Sequence, residues 1–134
     1  FYQLARETGV HEISFFEIVP TGRWIDHTDE VLSAEDRKKF DDFVSSASMS
    51  DGPRIFPIPQ VVRKMGCFAG RKWLHITPEG NIWPCSCLPL SYGNIHNDSL
   101  KSVWKKITKD PSFTGGKCLM RNSEFRHIHL GLNE

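Results

Sequence analysis

The stretch MGCFAGRKWLHITPEGNIWPCSC, Met65 to Cys87, holds three of the four cysteines in a chain of 134 residues. Within it, Trp73 and His75 alternate with Leu74 and Ile76, a polar turn follows at Pro78-Glu79-Gly80-Asn81, and Ile82 and Trp83 lead back. Alternation on either side of a glycine-containing turn predicts a β-hairpin. Cys67 precedes this hairpin, and Cys85 and Cys87 follow it. Strand pairing is therefore expected to bring Cys67 near Cys85. In extended backbone the Cys87 side chain would point to the same face as that of Cys85. Cys118, beyond a helical segment and Gly115-Gly116, can fold back to close the set.

Four thiolates converging from three segments suit either a tetrahedral zinc ion or a cubane iron-sulfur cluster. Zinc sites usually draw on two close ligand pairs, and only one such pair exists here, with a single residue between its members. The larger cluster tolerates dispersed ligands better, so spacing alone leaves the metal open. A chain of this size can bury a core without covalent staples. Cys85 and Cys87 would also make a strained disulfide in extended backbone.

Upstream, Tyr2, Leu4 and Ala5 share one face of a short helix that stops at Thr8-Gly9. The segment VHEISFFEIVP, residues 10–20, is nearly continuous in its apolar character, which predicts a strand covered on both faces, as in a parallel α/β sheet. Ser33, with Asp36 three residues on, reads as a capping box before a helix carrying Phe40 and Phe43. The prolines of RIFPIPQVVR, residues 54–63, restrict that stretch to an extended edge segment. Downstream of the hairpin, Leu100, Val103, Trp104 and Ile107 share a face of a helix expected to be capped by Asn97 or Asp98. Trp73, Trp83 and Trp104 are expected in the core or shielding a metal centre. His127 and His129 alternate, which would place them on one face of an extended tail, and His75 reads as a cross-strand packing partner.

The formal net charge is +1, so composition offers no footprint for nucleic acid or an anionic membrane. No apolar run approaches the roughly 20 residues of a membrane span, and the expectation is a soluble, intracellular, cytoplasmic protein. Phe1 opens without Met in what reads as mid-helix, so a piece of a longer chain is expected. Hydrolase triads, phosphate loops and dinucleotide glycine patterns are not found in the sequence.

The ordered elements Cys67-Phe68-Ala69-Gly70, Pro78 to Cys85, Gly93-Asn94-Ile95, and Ser99-Leu100 with Trp104 resemble the auxiliary cluster domain, SPASM or its shorter twitch form, of radical S-adenosylmethionine enzymes. The resemblance covers roughly residues 65–120. It implies that Cys67, Cys85, Cys87 and Cys118 ligate one auxiliary 4Fe-4S cluster, with zinc as the alternative. The Pro20-Thr21-Gly22-Arg23 turn resembles one at the C-terminal end of a late strand in that family's partial β/α barrel. Thr21, Gly22 and Arg23 would then lie near S-adenosylmethionine or substrate in the full-length enzyme.

Two departures bear on activity. The C-x-x-x-C-x-x-C spacing that holds the cleaving cluster in that family is not found here, so this chain alone is expected not to generate a radical. A full SPASM domain also carries a cysteine-dense C-terminal segment, and one cysteine in GKCLMRNSEFR favours the twitch-like form with one auxiliary cluster. The expected architecture is α/β to α+β. Residues 1–64 would be the end of a partial β/α barrel, and residues 65–134 a hairpin-plus-helix, twitch-like domain. The expected partners are the upstream barrel and a peptide or small-molecule substrate, with a homodimer or domain swap of the isolated piece. A structural zinc-binding or metal-free interaction module is the alternative function.

Overall fold

The structure, a computed structural model, describes residues 1–131. Two compact units divide the chain: Phe1–Ile18 with Glu30–Lys64, and Val19–Asp29 with the chain from Met65 on.

In the first unit, β1 (Glu12–Phe15) and β2 (Arg54–Pro57) pair in parallel, Ile13 opposite Ile55 and Phe15 opposite Pro57. The helix α2 (Ala34–Ala47) falls between them in sequence, as a crossover between parallel strands requires. Its start follows the expected capping box: the Asp36 amide donates to Ser33 Oγ at 3.1 Å and the Ser33 amide to Asp36 Oδ2 at 3.2 Å. Phe40 and Phe43 of α2 meet Phe15 edge-on at 5.3 and 5.9 Å, and Tyr2 of α1 (Tyr2–Glu7) meets Phe43 at 5.7 Å.

Two expectations for this unit are corrected. The first strand is not covered on both faces, because Glu12, Ser14 and Phe16 are exposed while Ile13 and Phe15 are half-buried. Among the described residues this unit's sheet has only two strands, and α2 packs on the Phe15 side. The α/β character is present, but a barrel is not displayed. Nor is RIFPIPQVVR extended throughout, since β2 passes directly into α3 (Ile58–Met65). Pro59 lies in the first turn of α3, where its missing N–H leaves no helical bond unmade. Gln60 Nε2 donates to Asp41 Oδ1 at 2.9 Å and Arg63 pairs with the same carboxylate, fastening α3 to α2.

In the second unit, β3 (His75–Ile76) and β4 (Ile82–Trp83) form the expected antiparallel hairpin, His75 opposite Trp83 and Ile76 opposite Ile82. The segment after it returns to the same sheet edge. The Ile82 amide donates to Gly93 O at 2.8 Å and the Tyr92 amide to Ile82 O at 2.9 Å. Asn94 then knits the turn together, donating through Nδ2 to Glu79 O at 2.9 Å and accepting from the His96 amide at 2.9 Å. Ile82, Leu88, Val103, Ile107, Phe113, Met120 and Phe125 form the buried core, with α4 (Leu100–Lys109) and α5 (Ser123–Leu130) contributing one face each.

The cap of α4 is Ser99 rather than Asn97 or Asp98. The Asp98 carboxylate is engaged by the Asn94 amide at 2.9 Å, and Ser99 Oγ accepts from the Ser102 amide at 3.2 Å. His127 and His129 lie in the last turn of α5, so a two-residue spacing sets them on different faces rather than one. His129 stacks on Phe125 at 4.3 Å. Trp73 is 50% exposed rather than buried, whereas Trp83 and Trp104 are half-buried. No helix among the described residues is long and apolar enough to cross a membrane.

Candidate metal centre

All four cysteines belong to the second unit, carry free thiols, are partly buried and pack against its core. They meet two by two: the Cys118 thiol is the neighbour that bears most on Cys67, and the Cys85 thiol the one that bears most on Cys87. Cys67 is within electrostatic reach of Cys85 across the hairpin, while the thiol that bears most on it is that of Cys118. The hairpin's return strand ends in a turn in which the Leu88 amide donates to Cys85 O at 3.2 Å. This turn, rather than extended backbone, sets Cys85 beside Cys87. The pairs still sense each other, since the charge on Cys67 acts on both Cys85 and Cys87.

Backbone amides supply the next contacts. The backbone N–H groups of Ala69, Cys87 and Met120, each two residues beyond a cysteine, lie close enough to the sulfurs of Cys67, Cys85 and Cys118 to lower their pKa values. Such amides favour the thiolate. Cys67 is pulled down to about 6, first by the Cys118 thiol, against burial, and then by the Ala69 amide and the charges of Arg71 and Arg121. Cys87 is also held at about 6, first by the Cys85 thiol, against burial, with help from the Ser86 hydroxyl and Arg121. Cys85 and Cys118 are pushed up by their neighbouring thiols and by burial.

The loops that bring Cys67 and Cys118 together cross at two glycines. A Cβ added to Gly66, at φ +80°, would stand 2.7 Å from Arg71 Nη1 and 3.2 Å from Gly116 Cα. No other residue type fits this crossing without displacing the backbone. There the Cys67 amide donates to Gly116 O, and Arg71 Nη1 donates to Cys67 O at 3.1 Å. Sequence reasoning missed Arg71 and Arg121. The one available signal was the placement of each basic residue three or four positions after a cysteine.

Thr21 Oγ1 donates to Cys87 O at 2.8 Å, and Gly22 and Arg23 are exposed in the short 3-10 turn that follows. The Thr21 hydroxyl is thus engaged with the cysteine loop. Among the described residues, no three His, Cys, Asp or Glu side chains lie close enough to share one metal ion. The donor set fits a thiolate-ligated centre in its chemistry, with four soft sulfurs, three amides close to them and two guanidinium charges nearby.

The SPASM family, an iron-sulfur cluster-binding domain, matches residues 67–126. The AdoMet-dependent heme synthase of Methanosarcina barkeri is 26% identical over 87% of this chain and 42% of its own length. That of Nitratidesulfovibrio vulgaris is 26% identical over 78% of this chain and 35% of its own. The antilisterial bacteriocin subtilosin biosynthesis protein AlbA of Bacillus subtilis is 30% identical over 76% of this chain and 23% of its own. The chain thus spans less than half the length of these relatives. No solved structure matches it.

Proposed function

We propose that this chain, which carries the C-terminal SPASM-type domain of a radical S-adenosylmethionine enzyme, holds one auxiliary 4Fe-4S cluster through Cys67, Cys85, Cys87 and Cys118. The observation that carries this reading is the two-by-two thiol arrangement, with an amide close to three of the four sulfurs. A single zinc ion with bonds of about 2.3 Å needs its sulfurs within about 4 Å of one another. Separated pairs suit a centre with attachment points further apart. When bound with all four thiolates, such a cluster would supply an electron acceptor for a substrate radical, and anchoring substrate at an iron would require one of the four cysteines to leave its iron open. The chain's own residues supply the thiolates, the amides that stabilise them, and the Arg71 and Arg121 charges that offset the added negative charge.

The whole enzyme is an oxidoreductase or maturase in which an upstream barrel cleaves S-adenosylmethionine and this portion does not. The relatives' printed roles, heme synthesis and bacteriocin biosynthesis, support a substrate that is either a small molecule or a peptide. Thr21, Gly22 and Arg23 would face S-adenosylmethionine or substrate there, an assignment supported by the family resemblance and by the attachment of this turn to the Cys87 loop. Iron and sulfide analysis after anaerobic reconstitution tests the cluster. The expected result is about four irons and four sulfides per chain, with visible charge-transfer absorption, and less than half of that in Cys67→Ala or Cys118→Ala. One retained zinc with no such absorption would replace this reading with a structural zinc module.

A further inference from the structure

An open cleft of about 550 Å³ lies between the turn leading into the hairpin and the first turns of α4, lined by Lys72, Trp73, Leu74, Leu100, Lys101 and Trp104. Its floor is apolar. Trp73 and Leu100, 50% and 48% exposed, adjoin Leu74 and Trp104 there to make one contiguous apolar patch. The rim is cationic, and the same charge continues along the helix. Lys101, Lys105 and Lys109 recur at four-residue intervals on α4, and the helix contains no acidic residue.

That arrangement is costly to the free chain. Like charges four apart on a helix repel, and Lys101 stands in the first turn, where the helix dipole disfavours a cation. Among the described residues, neither Lys72 nor any lysine of α4 has an ion-pair partner. In α2, by contrast, Lys38 and Lys39 each bond a carboxylate four residues away at 2.7 and 2.8 Å. A partner that brings negative charge to the rim and an apolar group to the floor would relieve both costs at once.

We propose that this cleft docks an acidic peptide segment that inserts one large apolar side chain between Trp73 and Trp104 while its carboxylates meet Lys72 and Lys101. The volume fits one such side chain and its neighbours. An apolar floor without fixed polar groups favours a hydrophobic anchor over a nucleobase, whose polar edges would be left unsatisfied. The inference does not depend on the metal centre, since none of the lining residues is a cysteine.

The test uses a fluorescein-labelled decapeptide of Asp and Glu around one central Phe, titrated with the 134-residue chain and followed by anisotropy. Saturable binding that weakens with added salt is expected. It should fall about tenfold in the Lys72→Glu/Lys101→Glu double variant and about as much when the peptide Phe becomes Gly. The exposed Lys64→Glu variant, in the other unit, should bind as the parent does, and circular dichroism verifies that each variant is folded. Four results would overturn the proposal: no saturation, equal binding by the double variant, tighter binding of a thymidine oligonucleotide or of phosphatidylglycerol vesicles, or self-association of the chain that the double variant abolishes.

Discussion

At Arg71 one guanidinium bonds the carbonyl of Cys67 and reaches that of Met65 at 3.5 Å, where Gly66 and Gly116 pass with no room for a side chain. Hydrogen bonds from a charged donor are worth about 1.5–3 kcal/mol, and the exposure of Arg71 places it at or below the lower figure. Arg71→Ala should therefore lower stability by about 1 kcal/mol in chemical denaturation. It should also reduce iron retained after reconstitution, and Arg71→Lys should restore only part of both, because an ammonium lacks the planar fork. Tyr92 gives a residue-level dependence on pH. Burial, and then its bond to the Asp110 carboxylate, raise its pKa, so the folded state keeps the proton longer than the unfolded chain. The associated stability is complete below the unfolded value near 10 and is lost as pH rises above it. Melting temperatures from pH 7 to 11 should fall on the alkaline side in the parent, and less steeply in Tyr92→Phe. That the four cysteines gather in one unit was legible in the sequence. Which thiol meets which was not, because that depends on a turn at Cys85 and a glycine crossing at Gly66, neither of which has a hydrophobic pattern.

The hairpin and its return loop were readable because alternation, turn residues and the Gly93-Asn94-Ile95 segment all specify the same element. Gly93 is required there for space. A Cβ would stand 2.7 Å from both Asp98 Oδ2 and Val103 Cγ2, and both atoms belong to groups already committed to the loop and the core. Gly93→Ala should cost about 1–3 kcal/mol, with the loss seen as a shifted urea midpoint. The cap of α4 was misjudged by one or two positions, since three consecutive residues, Asn97, Asp98 and Ser99, all have side chains able to cap. Bonding within the preceding loop engaged Asp98 elsewhere, with the Asn94 amide. Ser99→Ala should accordingly cost about 1 kcal/mol, while Asn97→Ala should change stability by less than about 0.5 kcal/mol. The helix α3 was unreadable for a related reason. Proline reads as a breaker unless its place in the first turn is known, and that place is set by where β2 ends.

At the scale of the molecule, β1 and β2 form a two-stranded sheet, so among the described residues each has an outer edge, with Phe16 and Phe56 exposed beside it at 76% and 46%. Unpaired edges with apolar neighbours invite a second copy. Light scattering should show the mean mass rising from monomer toward dimer with concentration, and Phe16→Lys should suppress that rise. A constant monomer mass would show that the edges are protected. The bond from Thr21 to Cys87 has a different reach. Val19 and Ile25 pack on the core of the second unit and Pro20 is fully buried, although the 35 residues Glu30–Lys64 separate this stretch from the rest of that unit. Excising the cysteine-bearing half at Met65 would therefore strip an eleven-residue strap from its surface and leave an apolar scar beside the Cys87 loop. Anyone seeking the smallest autonomous piece should graft residues 19–29 back through a linker instead of cutting the chain once.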